Sequence, residues 1–333
     1  MNFAINGTCS KGCSFCFTTE DARLRHTLGE MSIHQLDKYL SFYGFYKNKR
    51  PVHILGGEPT QHSNFTGILD FIISKRLRIN LVSNLLFGRK TLEHIVKNIK
   101  HFEWILPNAA ELDERNRITV WRRNYLEIYK AFLNNQGFEK SPRLYLALTL
   151  SSNFKEVKMF EYIKWLIKEA NYKVKAIRLG LDLTDTYLIN NKELGQEIVR
   201  IIKFCRTNNI IVQSDCQVPP CLWEGKTKEA VLENSLNYAT FKVGKYETIC
   251  GFMPMDVLPN GSSIHCYPLQ HKVKINNVLK VDGVDTLDSL YDKYDELYKE
   301  NYKNYTLPKD CLDCVFYKDQ CNGICGGCLE GNE

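Results

Sequence analysis

The sequence predicts an α/β protein: six strand–helix units whose parallel strands curve into a partial barrel, followed by a smaller cysteine-rich region. Three observations predict it. From residue 3 to about residue 209, short apolar runs alternate with segments of helical apolar spacing, which is the pattern of βαβ units and a parallel sheet. Polar residues gather directly after the strands, at Glu58, Ser83, Asn84, Asn108 and Ser151, where α/β barrels build their sites. The 13 cysteines are unevenly spread: three lie in the first 16 residues, none lies between Cys16 and Cys205, and the rest follow.

The elements justify this in order. Phe3 to Ile5 is a short apolar strand that runs into a Gly-bearing loop with three cysteines. Met31 to Tyr46 reads as a helix. Val52 to Leu55 is a strand ending in Gly56-Gly57-Glu58-Pro59. Phe65 to Ile73 is helical, and Ile79 to Val82 is a strand ending at Ser83-Asn84. Leu92 to Ile99 is helical, and Phe102 to Leu106 is a strand ending at Pro107-Asn108. Leu112 to Leu133 carries a long amphipathic pattern. Leu144 to Leu150 is rich in β-formers. Val157 to Ala170 is a helix, Val174 to Leu183 a strand and Leu194 to Phe204 a helix. Right-handed crossovers would curve these six units into a partial barrel. Past residue 209 turns multiply, and Val284 to Tyr302, rich in Asp, Lys and Tyr, is the one clear helix, expected on the surface. The expected division is residues 1–209 and residues 210–333.

Composition bounds the rest. A chain of 333 residues that is 44% hydrophobic can bury a sizeable core. Its net charge of +6 is mildly basic, and pairs such as Arg122-Arg123 and Arg89-Lys90 are too short to suggest nucleic-acid binding. There is no signal-peptide pattern and no apolar stretch long enough for a membrane span. A cytoplasmic protein with no nucleic-acid or membrane partner is expected. Disulfides rarely persist there, so the many cysteines point to metal or redox chemistry. Cys205, on an amphipathic helix, is expected to be a buried apolar thiol. The eight histidines form no metal-spaced pair, and His53 is expected to be a packed strand residue.

The first loop carries the most information. Cys9, Cys13 and Cys16 are spaced C-x3-C-x2-C. Three thiolates on one tight loop can hold three corners of a [4Fe–4S] cube that normally takes four cysteines. The iron without a cysteine then has an open position for a ligand, as catalytic zinc does. On spacing alone a zinc site or a disulfide pair stays open. The second motif, Gly56-Gly57-Glu58-Pro59, follows the second strand. Its glycines let backbone approach a ligand, and its carboxylate can accept hydrogen bonds from an ammonium group.

Together these stretches resemble the radical S-adenosylmethionine (SAM) superfamily, whose cysteine loop usually has an aromatic where Phe15 stands. The resemblance implies a partial (β/α)6 TIM-like barrel. It implies that Cys9, Cys13 and Cys16 hold the catalytic cluster, and that SAM on the open iron is cleaved to a 5′-deoxyadenosyl radical. It assigns Gly56, Gly57, Glu58 and Pro59 to the SAM amine. It also makes Ser83, Asn84, Asn108, Ser151 and Arg178 candidate SAM contacts, with Arg115, Arg117 and Asn153 further possibilities. Many relatives carry Asp-Gly where this chain has Pro107-Asn108.

The C-terminal cysteines form a third constellation. Cys250-x10-Gly261-x4-Cys266 is followed by Cys311-x2-Cys314-x6-Cys321-x3-Cys325-x2-Cys328, with Cys216 and Cys221 upstream. This is similar to the SPASM extension, a cysteine-rich iron–sulfur domain with two auxiliary [4Fe–4S] clusters, found in peptide- and protein-modifying radical SAM enzymes. Relatives usually have five residues where six separate Cys314 and Cys321. Nine cysteines follow residue 209 and two cubes need eight, so one is spare or one cube is differently ligated. By the resemblance, Cys250, Cys266 and Cys325 with Cys216 or Cys221 hold the first auxiliary cluster, and Cys311, Cys314, Cys321 and Cys328 hold the second. Zinc-ribbon sites are the alternative.

The implied activity is maturation of a ribosomally made peptide, by crosslinking, thioether formation or epimerisation. Because the chain begins directly on its first strand, leader binding is expected to fall to a separate protein or to the core. A flavodoxin- or ferredoxin-like protein would supply electrons. Oxidation of a Cys or Ser side chain in the manner of sulfatase maturases, a small-molecule radical SAM dehydrogenase, and a non-catalytic redox sensor are the alternatives.

Overall fold

The computed structural model describes residues 1–13, 16, 29–109, 112, 117–135, 143–150, 158–181, 192–214, 255–264, 273–302 and 309–313. The chain forms two compact units, Met1–Leu146 with Pro254–Leu297, and Ala147–Met253 with Tyr298–Glu333.

The first unit is built on a seven-stranded sheet. Strands β1 (Asn2–Ala4), β2 (Val52–Leu55), β3 (Ile79–Ser83) and β4 (Phe102–Pro107) lie side by side and parallel. Their register aligns Phe3, Ile54, Leu81 and Ile105 in one row, all fully buried. Helices cover that row: the Phe3 ring packs on Tyr39 and Phe45, with centroids 6.4 and 5.6 Å away. Both faces of a parallel sheet need such cover, because crossovers lay helices on them.

Helix α1 (Ile33–Phe42) begins with a capping box. The Gln35 N–H donates to Ser32 Oγ at 3.2 Å, and the Ser32 N–H donates to Gln35 Oε1 at 2.8 Å. The expected single helix 31–46 is two. Gly44 adopts φ +68, a conformation that ends helices, and a short α2 (Phe45–Asn48) follows it. Helix α3 (Phe65–Ser74) buries Phe65, Ile68, Leu69 and Ile72, one stripe at i, i+3, i+4 and i+7. Helix α4 (Arg89–Lys97) buries Leu92 and Ile95. Helix α5 (Arg117–Asn134) buries a stacked Trp121–Tyr125 pair.

Residues 255–297 belong to this unit as well. Strand β8 (Asp256–Val257) adds parallel to the free edge of β1, and Asn2 Nδ2 donates to Asp256 Oδ1 at 2.7 Å. Strands β9 (Ser263–Ile264) and β10 (Lys274–Ile275) continue it antiparallel. The Tyr43 hydroxyl donates to the Val278 carbonyl at 2.6 Å. Helix α8 (Leu287–Tyr302) is not a purely surface helix: Leu290, Tyr294 and Tyr298 are buried, and the Tyr294 hydroxyl meets Ser263 Oγ at 2.5 Å.

In the second unit, β5 (Tyr145–Leu150, entering from the first), β6 (Ala176–Leu181) and β7 (Ile211–Ser214) form a three-stranded sheet, with β6 and β7 parallel. Helices α6 (Met159–Glu169) and α7 (Lys192–Thr207) meet edge to face through Phe160 and Phe204. Cys205 is fully buried on α7 as expected, and burial pushes its thiol up to about 12. Strand β7 was not expected; it is four residues long and carries no clear alternation. The short α9 (Lys309–Leu312) lies further on. The fold is thus α/β with a mostly parallel sheet. Among the described residues, no helix is long and apolar enough to cross a membrane.

Candidate active site

The loops leaving β1 and β2 are zipped together by backbone. The Ile5 N–H donates to Leu55 O at 2.9 Å, Gly57 N–H to Asn6 O at 3.0 Å and Glu58 N–H to Thr8 O at 2.7 Å. Asn6 Nδ2 closes the seam with 2.9 Å to the Glu58 carbonyl. This explains both glycines. A Cβ on Gly56 would sit 2.5 Å from Asn6 Oδ1 and 2.6 Å from Asn6 O. On Gly57 it would sit 2.5 Å from Thr8 O. The clearance at their Cβ positions is taken up by the chain's own cysteine loop.

The seam delivers Glu58 to a pocket of donors. Its carboxyl is 2% exposed. Oε1 accepts from Thr60 Oγ1 at 2.6 Å, Ser83 Oγ at 2.8 Å and Thr60 N–H at 3.2 Å. Oε2 accepts from the Asn84 N–H at 2.7 Å. Burial pushes the carboxyl above its ordinary value, and these hydrogen bonds pull against that rise without cancelling it. Ser83 and Asn84 therefore act on Glu58 directly. Asn108, the other polar residue after a strand in this unit, donates its N–H to the Ser83 carbonyl at 2.8 Å. Pro59 is buried and opens a single 3-10 turn that Glu58 caps.

The three cysteines sit on the other side of the seam. Cys13 is buried, Cys9 and Cys16 are half-buried, and none is in a disulfide. The Cys9 sulfur receives the Lys11 N–H at 3.4 Å and faces Asn84 Nδ2 at 4.0 Å. Cys16 N–H donates to Cys13 O at 3.1 Å. Burial raises the Cys9 thiol; the Glu58 and Cys16 charges add to the rise, and the Lys11 N–H and ammonium oppose it. So Cys9, Cys16, Glu58 and Lys11 share one electrostatic neighbourhood. Among the described residues no three Cys, His, Asp or Glu side chains are drawn together as a metal-holding group.

The loop is tied at its far root. Met31 N–H donates to Ile5 O at 2.7 Å, and Ser63 N–H to Glu30 Oε1 at 2.7 Å. His62 Nδ1 takes the Asn64 N–H at 2.9 Å, which leaves Nε2 to donate to the Met31 carbonyl at 3.1 Å. The sequence reading missed Asn6, Lys11, Thr60, His62 and Asn124. Thr60 had a signal, two residues after the motif's carboxylate. The others meet partners far away in sequence or, for Lys11, sit unmarked inside the loop.

Other expected residues fall elsewhere. Arg178 is half-buried on β6, in the second unit. Arg117 is the first residue of α5. Cys311 lies in α9, with its side chain outside what is described. Phe15, Arg115, Ser151, Asn153, Cys216, Cys221, Cys250, Cys266, Cys314, Cys321, Cys325 and Cys328 lie outside the described residues. Gly261, between Cys250 and Cys266, has φ +82 in the turn joining β8 to β9, and a Cβ there would stand 2.9 Å from the Tyr39 hydroxyl. His53 is half-buried on β2, edge-on to Trp104.

Residues 4–138 match the family model of the Radical SAM superfamily. That match covers the segment holding β1 to β4, the cysteine loop and Glu58, and it supports an enzyme. The fold is similar to Streptococcus suis SuiB bound to S-adenosylmethionine (TM-score 0.59, 17% identity, 98% of this chain and 72% of that one). It is similar to SuiB bound to the precursor peptide SuiA (TM-score 0.61, 16% identity, the same coverage). It is also similar to hexahistidine-tagged anSMEcpe with bound AdoMet (TM-score 0.55, 15% identity, 99% of this chain and 90% of that one). No curated protein matches.

Proposed function

We propose that the protein is a radical SAM enzyme that modifies a carbon of a peptide or protein substrate, as a maturase of a ribosomally made peptide. One observation carries the reading. The cysteine loop and the Glu58 loop are built as one seam, so that a three-thiol loop and a buried, pre-organised carboxylate adjoin at the C-terminal ends of parallel strands. The family match and the likeness to a protein seen with SAM and with a precursor peptide support it.

The residues fit a [4Fe–4S] cluster and SAM in donor chemistry. Cys9, Cys13 and Cys16 supply three thiols, and the Cys9 sulfur already receives an N–H. Glu58, held by Ser83, Thr60 and Asn84, is the acceptor for the SAM ammonium group. The buried Asn6 Oδ1, without a partner among the described residues, is a further acceptor beside it. When bound, this pair supplies a radical able to take a hydrogen atom from an unactivated carbon. The protein's part is to hold, orient and exclude water, since stray hydrogen donors would quench a radical.

The finer assignment follows the same reading. The six units form a partial barrel over residues 1–209. The cysteines after residue 209 hold the auxiliary clusters of a SPASM-type extension. The enzyme is cytoplasmic, is reduced by a flavodoxin- or ferredoxin-like donor, and takes its peptide with or without a separate leader-binding protein. The test is direct. Anaerobically purified protein, reduced with dithionite and given SAM, is expected to release 5′-deoxyadenosine, and Cys9→Ala, Cys13→Ala and Cys16→Ala are expected to abolish this. Colourless protein carrying stoichiometric zinc overturns the proposal.

A further inference from the structure

We infer that Asn84 is a positioning residue whose side-chain amide donates to the Cys9 sulfur and raises the reduction potential of the iron centre held there, with Asn124 fixing its aim. The inference rests on the reading of Cys9 as a cluster ligand. It gives Asn84 a different task from the SAM contact that its place after β3 suggested.

The geometry is specific. Asn84 is 5% exposed, and three of its groups are committed. Its backbone N–H donates to Glu58 Oε2 at 2.7 Å. Its Oδ1 accepts the Leu86 N–H at 2.8 Å. With the oxygen engaged, the amide can point only its nitrogen at Cys9, and Nδ2 stands 4.0 Å from Sγ. That contact is long for a hydrogen bond to sulfur, so its strength depends on how firmly the amide is held.

The turn that carries Asn84 is strained and then clamped. Leu85 has φ +57, a conformation costly for a residue with a side chain. Ser83 Oγ accepts the Leu85 N–H at 3.1 Å while donating its own proton to Glu58. From helix α5, the fully buried Asn124 spends Nδ2 on Leu85 O at 2.8 Å and Phe87 O at 2.9 Å. Its neighbour Arg123 donates to Asn124 Oδ1 at 3.0 Å and to Phe87 O at 3.3 Å. A turn held only for its own sake would not need its side-chain amide aimed at a ligand sulfur.

An N–H directed at a ligand sulfur favours the state with more negative charge, so such bonds set cluster potentials. Removing the donor should make the centre harder to reduce. The experiment is a redox titration of the reconstituted protein, followed by electron paramagnetic resonance of the reduced cluster without SAM. The Asn84→Asp variant keeps the backbone bond to Glu58 and an oxygen for Leu86, but it replaces the donor with a like charge. Asn84→Ala removes the donor together with the oxygen that accepts the Leu86 N–H, and adds no charge. Asn124→Ser loosens the turn and leaves Asn84 unchanged. The expected order of midpoint potentials is wild type highest, then N124S, then N84A, with N84D most negative, at wild-type iron content. A merely structural Asn84 would lower thermal stability and leave the potential where it was. Coincident potentials for wild type, N84A and N84D overturn the inference. Wild-type protein that assembles no cluster overturns instead the reading beneath it.

Discussion

Gly57→Ala tests the seam on which the site depends. The added methyl carbon would lie 2.5 Å from Thr8 O, 2.6 Å from Gly7 O and 2.7 Å from Thr8 C. All three are backbone atoms, so no side chain can swing aside. Relief requires the two loops to part, which lengthens Gly57 N–H to Asn6 O and Glu58 N–H to Thr8 O, now 3.0 and 2.7 Å. Overpacking costs about 1–3 kcal/mol, and a lost backbone hydrogen bond about 1 kcal/mol. The expected loss is therefore ~2–4 kcal/mol in the urea transition of the unit that carries β1–β4. Gly12→Ala is the control within the same loop: its Cβ would meet nothing within 4 Å. That change should stay within about 0.5 kcal/mol, as surface substitutions do. Iron and sulfide content after reconstitution should fall for the Gly57 variant and hold for the Gly12 variant. If both variants unfold together with wild type, the backbone contact is not what joins the loops, and the reasoning fails.

Glu58 predicts a pH dependence. Burial raises its carboxyl in the folded state, so the folded chain keeps a proton that the unfolded chain has released. Stability contributed by Glu58 is thus lost as pH climbs from the ordinary value of 4.5 toward the raised one; Glu58→Gln should lack that slope in urea midpoints across the window. The same variant turns an acceptor oxygen into a donor among Thr60, Ser83 and Asn84, and should cost roughly 1–3 kcal/mol and weaken SAM binding by calorimetry. Tyr43→Phe removes the hydroxyl's hydrogen bond to the Val278 carbonyl and should cost about 1 kcal/mol by thermal unfolding, which tests whether residues 255–297 pack with the first unit. Cys205, fully buried with its thiol raised to about 12, should resist iodoacetamide in the native protein and react only in urea, as read by peptide mass spectrometry.

Much of this is legible in the sequence alone. Six β/α units follow from periodicity, because each strand and helix buries one face and marks it in sequence. The adjacency of the cysteine loop and Gly56-Gly57-Glu58 also follows, since both leave consecutive parallel strands at the same end. What is hidden has physical reasons. The break at Gly44 is masked because Phe45 and Tyr46 keep the apolar spacing going, and only the left-handed glycine interrupts it. Strands β8, β9 and β10 are two residues each, too short to show alternation, and they are held by pairing to β1 and to one another. Asn124 looks like any polar residue on an amphipathic helix. Its meaning comes from two carbonyls 39 and 37 residues earlier, which no local pattern reveals.

The arrangement also explains why so much backbone is spent on one carboxylate. Glu58, Cys9 and Cys16 crowd like charges into a buried neighbourhood, and the first and last of these raise the cost of ionising Cys9 beyond that of burial. Opposing this are Lys11, 6% exposed within the loop, and a set of N–H and O–H donors from Lys11, Thr60, Ser83 and Asn84. Unpaired, such charges would protonate or pull the loops apart. With the donors fixed on strand ends and on a turn clamped from α5, the negative groups stay close to one another. A cationic ligand entering there, such as a sulfonium carrying an ammonium group, would relieve the repulsion instead of adding to it.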